Sequence, residues 1–293
     1  MFSYHPQRQG FFASSDGTPI YYEVAGEGKP LVFCYGLVCR REHWRHQLDH
    51  FCEKYQVIVF DYRGHSRSAV PSNDSNLTLE WCAEDAVQLS NHLGMEEFVL
   101  FGHSMGVPVA SLAAAKMPEK VKGLVLVCGT VTNPFDGMFN TNKVMALYQG
   151  MDFLYQNSPW LMSLIWKRFT ELNKLNFLIT SHLGFNPYLA QEQDVLHYME
   201  GVNQTPLKVF YSLISDYVRF DGRHLLKEIL CPTLVVAGND DRITPLPLQE
   251  EMARLLKHGE LVNIPMGSHN AHTDVPDMVN ERIETFLKSI GYV

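Results

Sequence analysis

Phe98-Val99-Leu100-Phe101-Gly102-His103-Ser104-Met105-Gly106 opens with four apolar residues, turns at Gly102, and runs into an alanine-rich stretch that ends near Met117. Four apolar residues before a glycine read as a strand buried on both faces, and the small residues after Gly106 read as a helix packed closely against it. Between them lies the pattern G-x-S-x-G. The bare pattern arises by chance in roughly a tenth of chains this long, at ~7% glycine and a similar share of serine, so its weight comes from its setting. A strand-to-helix turn this tight forces the serine backbone into a strained conformation and needs glycines where side chains would clash. It also presents the hydroxyl at a helix N-terminus, where partial positive charge favours a developing oxyanion. The bland alternative is a tight turn that happens to contain serine.

Strand and helix alternate on either side of this turn. Thr18–Val24 alternates like a strand after a short N-terminal arm, and Leu31–Tyr35 and Val57–Phe60 are apolar runs of strand length. A helix with Trp44, Leu48 and Phe51 on one face separates the last two. Leu79–Leu93 reads as a helix with Thr78 as its cap and Gly94 as its stop. After the Ser104 segment come a strand over Val121–Cys128, another over Pro232–Ala237, a helix near Leu248–Lys257, a strand over Glu260–Ile264, and an amphipathic helix from Val275 to Ile290. This order predicts an α/β fold: a mostly parallel central sheet covered by helices on both faces. Between about Asn133 and Arg223 the strands stop and helical stretches rich in Phe, Trp, Leu and Met take over. The expected organisation is therefore a core of residues 1–132 and 224–293 with a helical cap at 133–223, placed over the sheet edge where such folds bind ligands.

Composition narrows the function classes. The chain has 293 residues, with 24 Lys and Arg against 32 Asp and Glu, for a formal charge of −8. That balance argues against a nucleic-acid partner, which needs a basic footprint. None of the six cysteines forms a C-x-x-C pair, and four lie in or beside apolar segments and read as small buried hydrophobes in a reducing compartment. No apolar run reaches the length of a spanning helix, and the opening Met1-Phe2-Ser3-Tyr4-His5-Pro6-Gln7-Arg8 has no charged-then-apolar leader. A cytoplasmic protein, monomeric or homodimeric, is expected. No phosphate loop or G-x-G-x-x-G appears, so no cofactor is expected.

A serine hydroxyl needs a base, and the base needs a carboxylate to orient it. Gly238-Asn239-Asp240-Asp241-Arg242-Ile243-Thr244-Pro245 follows one buried strand, and Gly267-Ser268-His269-Asn270-Ala271-His272 follows the next. These supply Asp240 or Asp241, and His269 or His272, in the chain order Ser…Asp…His. With Tyr35-Gly36, Asp61-Tyr62-Arg63-Gly64-His65-Ser66-Arg67-Ser68 and Pro276, the sequence resembles the α/β-hydrolase fold superfamily of capped serine hydrolases, esterases and lipases, over essentially its whole length. The resemblance selects Asp241, three residues after its glycine, and His269, seven residues before its proline. Asp240 and His272 are the runners-up, and Asp136 is the candidate if the acid follows an earlier strand.

The same resemblance assigns the oxyanion hole to the backbone amides of Met105 and Leu37. The family usually carries His-Gly where this chain has Tyr35-Gly36; the backbone role of Leu37 survives that change. Tyr35 is left as either a substrate contact or an inward-packing aromatic. His103, beside the nucleophile, and Trp160, in the cap, are the other candidates for substrate contact. Arg63, His65 and Arg67 match the family's structural turn. His43, His46 and His50 are spaced three and four apart like a metal face, but no neighbouring carboxylate or cysteine completes a site, so a solvated helix face is expected.

The aromatic cap implies an apolar pocket roof and a small-molecule hydrophobic ester as substrate. Membrane contact is not expected, because the cap lacks a basic polar face. The rivals on the same fold are hydrolysis of carbon–carbon bonds, lactones or N-terminal proline, haloperoxidase-like chemistry, and a slow-turnover ligand receptor. The peptide reading would draw on Glu171, Glu192, Asp194 or Glu200 to hold an ammonium group. Dehalogenase and epoxide hydrolase readings fall away because those relatives carry aspartate at the nucleophile.

Overall fold

The structure is a computed structural model that describes residues 4–293, so Met1-Phe2-Ser3 of the expected core lies outside the described residues. Eight strands form one sheet: β1 (Arg8–Ala13), β2 (Pro19–Ala25), β3 (Pro30–Cys34), β4 (Gln56–Phe60), β5 (Phe98–His103), β6 (Val121–Val127), β7 (Thr233–Gly238) and β8 (Gly259–Ile264). Their spatial order is β1-β2-β4-β3-β5-β6-β7-β8. β1 and β2 are antiparallel to their neighbours, and the six others are parallel. This is the α/β fold expected. The sequence reads as an arm where the structure has β1. That strand pairs with β2 along its whole length but buries only Phe12, and an edge strand without alternation leaves no periodic signal.

The central strands β3 and β5 are buried along nearly their whole length, and β6 from Gly123 onward, because helices cover both faces of the sheet. The helices in the sheet's βα units are α1 (Arg45–Phe51), α2 (Leu79–His92), α3 (Gly106–Lys116), α9 (Arg223–Leu226), α10 (Leu246–Leu255), α11 (Ala271–Asp274) and α12 (Pro276–Ser289), and all but α1, α9 and α11 reach ten residues. Local rules hold at α2: the Thr78 hydroxyl accepts from the Trp81 amide at 3.3 Å, and Gly94 past its end has φ +64°. Between β6 and α9 the chain forms five α-helices and no strand: α4 (Lys143–Asn157), α5 (Pro159–Phe169), α6 (Lys174–Leu183), α7 (Glu192–Gln204) and α8 (Leu207–Arg219).

α7 is fixed to the start of α1. The Arg45 guanidinium binds both carboxylate oxygens of Asp194, which are buried, and His46 lies 3.1 Å from the same carboxylate. Arg40 adds a 2.9 Å contact to Glu200. The expectation of a solvated histidine face is corrected here. His43 is 4% exposed, His46 is engaged by Asp194, and only His50, bonded to Glu284 at 2.9 Å, sits at the surface. Residues Arg41–Trp44 are a 3₁₀ turn ahead of α1, and its three residues per turn throw His43 out of phase with the helix that follows.

Candidate active site

Strand order reverses at β3, which lies between β4 and β5. In open α/β sheets the crevice for ligands forms at such a point, at the carboxyl ends of the strands. The loop after β3 carries Gly36, Leu37, Val38 and Cys39, and the turn after β5 carries Ser104. The loops after β7 and β8 carry Asp241 and His269.

Ser104 has φ +54°, a conformation that costs a non-glycine residue on the order of 1–3 kcal/mol. The cost is imposed by packing: a Cβ at Gly106 would stand 2.2 Å from the Cys34 carbonyl oxygen, so α3 comes down directly against β3. The serine hydroxyl is thereby held at the start of α3, 2.9 Å from His269 Nε2. His269 Nδ1 is 3.1 Å from Asp241 Oδ2 and 3.2 Å from Oδ1. Asp241 also accepts from the Ile243 and Thr244 amides, the Thr244 hydroxyl and Gln249 Nε2. Four fixed donors orient the carboxylate independently of the histidine. Asp240 is exposed, Asp136 is exposed, and His272 is fully buried with Nε2 3.1 Å from the His43 carbonyl oxygen. None of the three is part of the Ser104 arrangement.

A cavity of about 350 Å³ opens on Ser104 and His269, within the ~300–1,000 Å³ common for small-molecule sites. Leu37, Met105 and His103 line it at the sheet edge. Phe135, Met138, Phe169, Ile179, Leu183, Met199, Val202, Phe210 and Ile214 line it from the α4–α8 segment and its approach. Thr170, Glu171, Asn176 and Thr180 are among the polar groups on that side. Of the four acidic residues considered for an ammonium substrate, only Glu171 reaches the cavity, and it also takes a 2.6 Å ion pair from Arg168.

Two of the expected substrate contacts are corrected. Tyr35 is fully buried and not part of the cavity wall: its hydroxyl donates to Asp61 at 3.2 Å and accepts from the Tyr62 amide at 3.0 Å. It is the inward-packing aromatic of the two readings. Trp160 is 71% exposed on α5 and is not part of the cavity wall either. His103 does line the cavity, with its Nε2–H donating to the His269 carbonyl oxygen at 2.9 Å.

One positioning contact is invisible in the sequence. Val38, next to Leu37, has φ +59°, and its amide donates to His65 Nε2 at 3.2 Å. His65 Nδ1 lies 3.3 Å from the Arg63 carbonyl oxygen, and complete burial lowers its pKa to about 4. A neutral imidazole thus supplies the acceptor that holds the strained loop. The motif Asp61–Ser68 marks His65 as structural, but no sequence signal names its partner.

A family model described as alpha/beta hydrolase fold matches residues 29–276. The chain belongs to the α/β-hydrolase fold family. Among its relatives, it is 29% identical over 293 residues to a non-heme haloperoxidase of Rhodococcus erythropolis, covering 95% of this chain and 99% of that one. It is 27% identical over 282 residues to the (E)-2-((N-methylformamido)methylene)succinate hydrolase of Acinetobacter baylyi, covering 94% and 96% of the two chains. Among solved structures, a thermophilic esterase from Thermogutta terrifontis superposes with a TM-score of 0.74 at 24% identity, over 97% of this chain and 99% of that chain. An α/β-hydrolase of this kind is a hydrolase by family, and its relatives act on chemically different bonds. Among the described residues, no helix is long and apolar enough to cross a membrane.

Proposed function

We propose that the protein is a serine hydrolase that cleaves carboxylic esters with a hydrophobic acyl or alcohol part. The observation that carries this reading is the 2.9 Å contact between Ser104 Oγ and His269 Nε2 at the foot of an apolar cavity. His269 takes the hydroxyl proton as Ser104 attacks the ester carbonyl, and Asp241 holds the imidazole tautomer and stabilises its cation. The Leu37 and Met105 amides receive the oxyanion of the tetrahedral intermediate. Collapse expels the alcohol, protonated by His269, and leaves an acyl-serine that water hydrolyses with His269 again as base. The α4–α8 segment acts as a cap, residues 133–223, over a core of 1–132 and 224–293. The substrate is a small molecule, without a nucleic-acid partner, and the working unit is a monomer or homodimer.

Glu171 supports a second reading, a peptidase holding a substrate ammonium, although its pairing with Arg168 weakens it. The experiment that separates them is fluorophosphonate labelling with peptide mapping, run beside p-nitrophenyl esters from two to twelve carbons. Expected are stoichiometric labelling at Ser104, an optimum at medium chain length, and loss of both in Ser104→Ala with an unchanged melting curve. Ester hydrolysis retained in Ser104→Ala would remove the nucleophile assignment. A preference for acetyl esters would remove the hydrophobic substrate. Labelling without ester turnover, together with release of N-terminal residues from peptides, would favour the Glu171 reading.

A further inference from the structure

His43 and His103, which come from different parts of the chain, meet beside Cys39 on the loop after β3. The Cys39 sulfur and one ring nitrogen of each histidine all lie within 4.8 Å of one another. The three residues, in the order Cys39, His43 and His103, are 2%, 4% and 1% exposed. His103 spends its Nε2–H on the His269 carbonyl oxygen, which leaves Nδ1 with a free lone pair, and that atom is buried without a partner. His43 Nε2 is likewise buried without a partner. A buried polar atom left unsatisfied costs on the order of 1–3 kcal/mol, so one on each of two histidines that meet at a single thiol asks for an occupant.

The space for that occupant is kept open by a glycine. A Cβ built on Gly36 would stand 3.3 Å from Cys39 Sγ, 3.2 Å from His103 Nδ1 and 3.1 Å from Ser104 Cβ. Any side chain at position 36 would fill the gap between sulfur and nitrogen. From these observations we propose that Cys39, His43 and His103 bind a single zinc ion on the wall of the cavity, beside the nucleophile.

One thiolate and two imidazoles are a donor set that suits Zn²⁺ better than hard cations, which prefer oxygen. Tetrahedral zinc with bonds of about 2.0–2.3 Å holds its ligand atoms roughly 3.3–3.7 Å apart, so closing the site takes side-chain shifts of about an ångström. On binding, the Cys39 S–H bond breaks, its proton passes to solvent and the sulfur bonds to zinc. The two imidazoles donate lone pairs and lose no proton. Three protein ligands leave a fourth position. Cys39 and His103 both line the cavity, so that position faces the substrate.

An ion there ties the loop carrying Leu37 to the turn carrying Ser104. It also sets a positive charge near His269, whose ring lies 5.1 Å from that of His103. Such a charge opposes the imidazolium that ester cleavage requires, and zinc therefore inhibits the hydrolase reversibly. This consequence rests on the proposed function; the binding site does not.

The test is titration of chelator-treated full-length protein with Co²⁺, which reports thiolate ligation by a near-ultraviolet charge-transfer band, followed by displacement with Zn²⁺. Expected is a band that saturates at one equivalent, disappears in Cys39→Ser and weakens at least tenfold in affinity in His43→Asn. Metal-free melting curves show whether each variant is folded, and the wild-type spectrum stands without them. Absence of a thiolate band in the wild type overturns the site, as does an unchanged band in Cys39→Ser, which would assign uptake to the less buried Cys52 or Cys231. Zinc inhibition of ester turnover, reversed by chelator, is read separately, so the metal site stands or falls by the cobalt band even in a protein without esterase activity.

Discussion

At the scale of single residues, the site depends on side chains that never meet the substrate. Asp241 is held by four donors, and the loop beside Leu37 is held by one neutral histidine. His65 has an ordinary pKa near 6.5 when unfolded and about 4 when buried. The unfolded chain therefore binds the extra proton between those values, and the fold loses stability as pH falls from 6.5 towards 4, by about 1.4 kcal/mol per pH unit. His65→Gln keeps an acceptor for the Val38 amide and removes the titration. Urea unfolding at pH 7 and pH 5 should show the wild type losing about 2 kcal/mol more than the variant over that step. Equal losses in the two proteins would mean that His65 carries its proton in the fold. At pH 7 a lowered kcat in His65→Ala, rescued in His65→Gln, would place its effect on the oxyanion loop.

At the scale of elements, the ion pair between Arg45 and Asp194 joins α1 to α7, and α7 supplies Tyr198, Met199 and Val202 to the cavity wall. Removing Asp194 takes from the buried Arg45 guanidinium its two carboxylate contacts, at about 3 kcal/mol. Asp194→Ala should lower the melting temperature and expose α7 to proteolysis at protease concentrations where the sheet remains intact. A melting curve identical to the wild type would show that the other contacts of Arg45, which include those to Gln191 and Gln193, suffice. What is legible in the sequence follows the same division. Strands buried on both faces, the turn at Ser104 and the acid and base loops can be read because glycine spacing and apolar runs are local. β1 escapes because an edge strand that buries only Phe12 has no alternation to detect. The inward turn of His43 escapes because a 3₁₀ segment shifts the helical phase. Trp160 sits at helix spacing with other apolar residues, yet that spacing cannot say which side of α5 faces the core. Tyr35 is settled only by finding Asp61 and the Tyr62 amide at its hydroxyl.

At the scale of the whole molecule, exposed large apolar side chains are unevenly spread. Leu147, Phe153, Trp160, Leu164, Ile165, Phe169, Leu172, Leu175, Leu178 and Leu183 all lie on α4–α6 or the turns between them. Phe169 and Leu183 also line the cavity, so this surface continues into its mouth. A concentration of this kind lowers solubility, because the apolar area stays in contact with water. Trp160 and Leu164 stand one helical turn apart on α5 and do not line the cavity. The double substitution Trp160→Ser and Leu164→Ser should therefore raise the ammonium sulfate concentration at which the protein precipitates, while kcat/KM for a water-soluble p-nitrophenyl ester stays within about twofold. Sedimentation velocity decides the remaining case. If precipitation is unchanged and the wild type sediments as a dimer that the double variant cannot form, the face is already covered by a second copy in solution. If the wild type is a monomer and precipitation is still unchanged, these two side chains are not the ones that limit its solubility.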